Sequence, residues 1–133
     1  MLEAAEMGDI GAQLNVGYMF DTGTGTRRDR DAAVRWYKKA YRRGDSSAAH
    51  NIGTIYRDEK QSKRAFYWFN RAIALNRGDD GDASVEIANL YLNLLKDEGT
   101  AIIHLKRATR SKFITENSLR TAKRILQKLG RTK

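Results

Sequence analysis

Small and aliphatic side chains recur along the chain in two registers. Ala12, Val16, Met19 and Phe20 fall at i, i+4, i+7 and i+8, one stripe of a helix with about 3.6 residues per turn. Ala33, Trp36, Tyr37 and Ala40 follow at i, i+3, i+4 and i+7. The first register returns at Ala48, Ile52, Ile55 and Tyr56, then at Ala83, Ile87, Leu90 and Tyr91, a spacing of 35 to 36 residues. The second returns at Ala65, Trp68, Phe69 and Ala72, then at Ala101, His104, Leu105 and Ala108. Self-similarity at this period is the signature of a solenoid, whose units bury their apolar faces only against neighbours. The pattern predicts helices near 10–21, 29–43, 46–57, 61–76, 81–95 and 97–110, with a last one from about 116 to 129.

Punctuation supports these bounds. Asp9, Asp45 with Ser46, and Asp79 or Asp80 precede first helices, where a short oxygen-bearing side chain caps free N–H groups. Gly8, Gly44 and Gly78 each follow a stripe, where glycine takes the left-handed C′ conformation. Gly17 and Gly53 sit inside helices, matched by Ala88. Glycine there costs about 0.8–1 kcal/mol against alanine, so the recurrence predicts close helix–helix approach. Trp36 and Trp68 are expected to fill the space between adjacent hairpins.

The run Phe20-x-x-Gly23-x-Gly25-x-x-x-Asp29-x-x-Ala32-Ala33-x-x-Trp36-Tyr37-x-Lys39-Ala40-x-x-x-Gly44, preceded by Ala12-x-x-x-Val16-Gly17-x-x-Phe20, resembles the Sel-one-like repeat, a relative of the tetratricopeptide repeat. Thr26 stands where that family favours valine. A second copy keeps Gly44, Gly53, Tyr56, Ala65, Trp68, Phe69 and Ala72 but lacks the Gly-x-Gly loop: Tyr56 to Trp68 is 12 residues, against 16 from Phe20 to Trp36. The third is degenerate, with His104 in the tryptophan position. The resemblance covers roughly residues 4–108. It implies an all-α fold, a right-handed α/α superhelical solenoid of three helix-turn-helix repeats, and a scaffold or adaptor role without catalytic residues. Read this way, 1–133 is a single repeat domain: repeat 1 over 4–40, repeat 2 over 41–72, repeat 3 over 73–108 and a basic C-terminal capping helix in 109–133.

Composition narrows the partners. The net charge is +9, from 25 Lys and Arg against 16 Asp and Glu. Ten of the basic residues lie in 106–133, where Glu116 is the one acid; the remaining 15 are balanced by 15 acids. Such asymmetry points to an anionic partner for the C-terminus. Proline is absent, as suits a chain helical almost throughout. With no cysteine there is neither disulfide framework nor thiol chemistry. The sequence shows no apolar run of membrane-spanning length and no signal peptide at its start, which gives a cytoplasmic expectation. Ala4–Gly8 matches Ala40–Gly44, the tail of a second helix whose body is missing. Three readings follow: truncation from a longer array, a homodimer through the N-terminal edge, or a short stub that suffices.

Candidate chemistry is sparse. Asp21–Thr26 is glycine-rich but lacks the lysine and the strand–loop–helix setting of a phosphate loop. The acidic turn at 79–82 lacks calcium-loop spacing and reads as an N-cap. Neither His50 nor His104 belongs to a catalytic or metal-ligating arrangement, so no enzyme, cofactor or metal is expected. Two surfaces remain. On the first helix of each repeat, Asn15 and Tyr18, Asn51 and Thr54, and Glu86 and Asn89 occupy equivalent polar places, with His50 one turn away. In tetratricopeptide-like stacks the first helices line the concave face, so these residues form a candidate partner-binding ladder, with amides suited to an extended peptide. The other surface is a basic patch of Lys106, Arg107, Arg110, Lys112, Arg120, Lys123, Arg124, Lys128 and Arg131. The principal expectation is a protein or peptide partner, an acidic one where it meets the patch. Nucleic acid or an anionic membrane at the C-terminal helix is one alternative, and an immunity-type neutraliser of a toxin or enzyme is another.

Overall fold

The structure, a computed structural model, describes residues 2–131, with the side chain of Arg131 outside the description. Among these residues there are eight α-helices and no strand: α1 (Leu2–Glu6), α2 (Ile10–Thr22), α3 (Arg30–Arg42), α4 (Ser46–Asp58), α5 (Ser62–Leu75), α6 (Gly81–Asn93), α7 (Glu98–Thr109) and α8 (Glu116–Arg131). The helices from α2 onward start and stop within three residues of the bounds expected from periodicity.

One device starts most of them. Asp9, Asp29, Asp45, Asp80 and Asp97 each accept a hydrogen bond from the backbone N–H three residues on, at Ala12, Ala32, Ala48, Ala83 and Thr100, over 2.8–3.0 Å. This satisfies one otherwise orphaned donor per helix. In the acidic turn Asp80 is therefore the cap, not Asp79. Gly44 and Gly78 close α3 and α5 with φ of 90° and 83°. The shortened α4–α5 turn instead holds Lys60 at φ 61°.

The chain forms two compact units, Met1–Leu75 and Asn76–Lys133. In the first, α1 packs on α2, α3 packs on both α2 and α4, and α5 packs on α4. Tyr37 and Phe69 are its largest fully buried side chains. A Cβ on Gly17 would lie 2.6 Å from Tyr37 Cε1, and one on Gly53 would lie 2.7 Å from the Phe69 ring. The close approach predicted from the two glycines is thus present, and its occupant is the aromatic residue after each tryptophan. Trp68 is buried and meets Tyr41 of α3 edge-on, with ring centroids 4.9 Å apart. Trp36 is only half-buried, packed against the cluster of Ala5, Ala12 and Val16 and covered by the Lys39 ammonium at 4.4 Å.

In the second unit α6, α7 and α8 pack on one another around Val85, Ala88, Ala101, Leu105, Ala108 and Ala122. Ile125, Leu126 and Leu129 of α8 add to this cluster, so the apolar stripe of the last helix faces inward. Leu105 occupies the register position of Tyr37 and Phe69. The smaller side chain goes with Ala88 where the first two repeats need glycine.

Candidate functional site

In the first unit α2 and α4 turn one face toward α3 and α5 and leave the other open. Asn15 and Tyr18 are exposed on α2, while His50, Asn51 and Thr54 are half-buried on α4. Thr54 Oγ1 donates to the Asn51 carbonyl over 2.8 Å, so its hydroxyl proton is committed within the helix and only its lone pairs face outward. The His50 ring packs on Phe69, with centroids 5.5 Å apart, so it acts as part of the inner wall. Glu86 and Asn89 keep the same register on α6 of the second unit, half-buried.

A polar chain missing from the sequence reading links Tyr37, Asp21, Arg30 and Asp58. Tyr37 donates to Asp21 over 3.4 Å. Burial, then the Asp21 charge, raises the Tyr37 phenol above its ordinary value, so it remains protonated. Arg30 lies 3.8 Å from Asp21 and 3.5 Å from Asp58, joining the ends of α2, α3 and α4. The glycine-rich segment 21–26 is the turn from α2 toward α3: Arg28 Nε donates to the Asp21 carbonyl and the Asp29 N–H to the Phe20 carbonyl.

Six residues of the basic patch fall in three settings, all in the second unit. Lys106 lines a recess of about 300 Å³ between α7 and α8 with Ile102, Leu126 and Gly130. Arg107 and Arg110 border another recess with Ile103, Gly78, Asp79 and Ser111. Arg120, Lys123 and Arg124 line a shallow recess on α8 with Asn117, Thr121 and Gln127. These cations, Lys112 and Lys128 are exposed; the Arg131 side chain lies outside the described residues. Glu116 pairs with Arg120 at 2.9 Å.

Between α7 and α8 lies a second feature that sequence reasoning missed. The Lys112 N–H donates to Asp79 over 3.1 Å, and Asp82 accepts from both the N–H and the hydroxyl of Thr115, at 3.0 and 2.9 Å. Gly81 donates to the Phe113 carbonyl over 2.9 Å, and a Cβ at residue 81 would sit 2.5 Å from Ile114 Cβ. The acidic turn is thus a clasp as well as a cap. The Ser111 and Lys112 hydrogen bonds hold the Asp79 carboxyl below its ordinary value. A glycine opening a helix already capped by aspartate was the available signal.

His104 stacks on Tyr91, with centroids 5.5 Å apart and planes 11° apart. It is a packing residue, and burial, followed by the Arg107 charge, lowers its pKa. Among the described residues no three His, Asp or Glu side chains gather where a metal could be held, and no helix is long and apolar enough to cross a membrane.

Helical hairpins with repeating caps and repeating glycine–aromatic contacts define an α-helical repeat protein of the solenoid class. The chain belongs to the Sel1 repeat family, which matches residues 10–45 and 46–76. A Sel1 repeat protein from Oxalobacter formigenes has a similar structure, with a TM-score of 0.64 at 26% identity over 81% of this chain and 46% of that one. So does a protective antigen of uropathogenic Escherichia coli that displays this fold, with a TM-score of 0.64 at 31% identity over 79% of this chain and 23% of that one. A chitin synthase regulator of Malassezia restricta is 38% identical over 52 residues, covering 39% of this chain and 4% of the relative. A putative Sel1-like repeat-containing protein of Acanthamoeba polyphaga mimivirus is 28% identical over 64 residues, covering 48% of this chain and 12% of the relative. The chain therefore spans a small part of its curated relatives and less than half of either structural one. Sel1 repeat proteins generally mediate protein–protein interactions and are typically non-enzymatic scaffolds.

Proposed function

We propose that this chain is a protein-interaction module that holds a partner segment on the open face of α2 and α4. The observation that carries this reading is the repetition of exposed or half-exposed polar residues, Asn15 with Tyr18 and Asn51 with Thr54, at the same register of two successive repeats while the opposite faces are packed. Asn15 and Asn51 offer a donor and an acceptor each, the pair an extended backbone needs. Tyr18, 58% exposed, adds a large rigid contact surface of the kind that anchors interfaces. Glu86 and Asn89 stand at the corresponding sequence positions of α6, in the second unit. That one relative is a regulator of chitin synthase fits a module that works by contact with another protein.

The test uses two baits, the chain itself and its Asn15→Ala, Asn51→Ala, Tyr18→Ala variant, each verified as helical by circular dichroism. A protein retained at fixed stoichiometry by the first and lost by the second is the expected result. Identical captures from the two baits would refute the assignment of the face.

A further inference from the structure

The recess between α7 and α8 differs in kind from the face of α2 and α4. Its floor is apolar, made by Ile102 of α7 and by Leu126 and Gly130 of α8, and Lys106 stands at its rim. At about 100° per residue, Lys123 follows Gly130 around α8, and Gln127, Arg120 and Arg124 come next. A row of exposed cations therefore begins at the edge of an apolar slot. The nearest acid on this helix, Glu116, already pairs with Arg120. All of this lies beyond residues 10–76, where the family match ends.

We propose that this slot and its basic rim form a second docking surface, for an acidic amphipathic segment of a partner protein. An aliphatic side chain of the segment enters between Ile102 and Leu126, and its flanking carboxylates meet Lys106, Lys123 and Arg124. The proposal rests on the protein-binding reading above but uses different residues. Charge complementarity selects the partner: a rim of lysine and arginine favours carboxylates and speeds encounter. The apolar floor argues for a peptide over nucleic acid, whose phosphate backbone offers nothing to fill a slot of Ile, Leu and Gly. A membrane is disfavoured because an interfacial helix must insert its apolar side, and here Ala122 and its neighbours on that side are packed in the core.

Fluorescence anisotropy tests this with a synthetic glutamate-rich peptide carrying one central leucine. Controls are the same peptide with glutamine for leucine, a duplex DNA and phosphatidylserine vesicles, all at one ionic strength. The leucine peptide should bind saturably at one per chain. Its affinity should fall about tenfold with the glutamine peptide, and about tenfold with the Lys106→Glu, Lys123→Glu variant, both sites being exposed. Equal binding of the two peptides overturns the proposal, as does preference for the duplex or vesicles. The Asn15→Ala, Asn51→Ala, Tyr18→Ala variant should bind the leucine peptide unchanged, so failure at one surface leaves the other independently testable.

Discussion

Gly53 and Phe69 are fitted to each other: the ring lies so close to the helix that a Cβ at residue 53 would come within 2.7 Å of it. Gly17 and Tyr37 repeat the relationship one repeat earlier, and Ala88 with Leu105 is its relaxed form. Gly53→Ala should gain about 0.8–1 kcal/mol of helix propensity and lose about 1–3 kcal/mol to overpacking, for a net destabilisation of about 1 kcal/mol. Combining it with Phe69→Leu reproduces the third repeat. Urea denaturation of the four species of a double-mutant cycle should show favourable coupling between the substitutions. Strict additivity would mean that the ring yields without cost.

His104 makes stability depend on pH. Its folded-state pKa lies below the ordinary imidazole value because burial, and then Arg107, disfavour the charged form. The unfolded chain therefore binds the proton more readily. The cost is absent well above about pH 6.5 and grows as pH falls below that value toward the folded pKa. The melting temperature should drop over this window, and His104→Phe, which keeps a ring against Tyr91, should lessen the drop. An unchanged profile in the variant would assign the effect to carboxylates.

Lys60 occupies the left-handed region at φ 61°, which costs an L-residue about 1–2 kcal/mol. Glycine avoids that strain but loses more entropy on folding. Lys60→Gly should thus stabilise the chain by about 0.5–1 kcal/mol, measured as a rise in the urea midpoint at constant slope. A lowered midpoint would show that the lysine makes contacts worth more than its strain.

Helix bounds were legible because periodicity, aspartate caps and terminal glycines agreed. The paired small and large positions were legible too, since Gly17 and Gly53 had no local reason to be in a helix. Which aromatic lay beneath them was not. Trp36 and Tyr37 share one stripe, and only the position of the facing glycine decides that Tyr37 goes in. The donor committed by Thr54 was hidden for a different reason: a hydroxyl bonding back to its own helix leaves no trace in spacing. The connector 110–115 has no periodicity at all, so its docking onto the acidic turn had to be seen.

That docking yields another prediction. Asp82→Ala removes both hydrogen bonds to Thr115 and should destabilise the second unit by about 1 kcal/mol. Amide exchange should speed up at Gly81, Lys112 and Thr115 and in the first turn of α8, while α2 to α5 keep their protection. Uniform acceleration across the chain would indicate global loosening instead.

The clasp also bears on how the two halves of the second unit share fate. The cationic helix is buttoned at its leading end to the same turn that begins α6, so it cannot peel away without unbuttoning that turn and uncovering Ala122. A ligand gripping the outer side of α8 would brace the hairpin behind it, and anything that springs the clasp would scatter the ligand's contacts. Occupancy outside and cohesion inside are then one equilibrium seen from two sides.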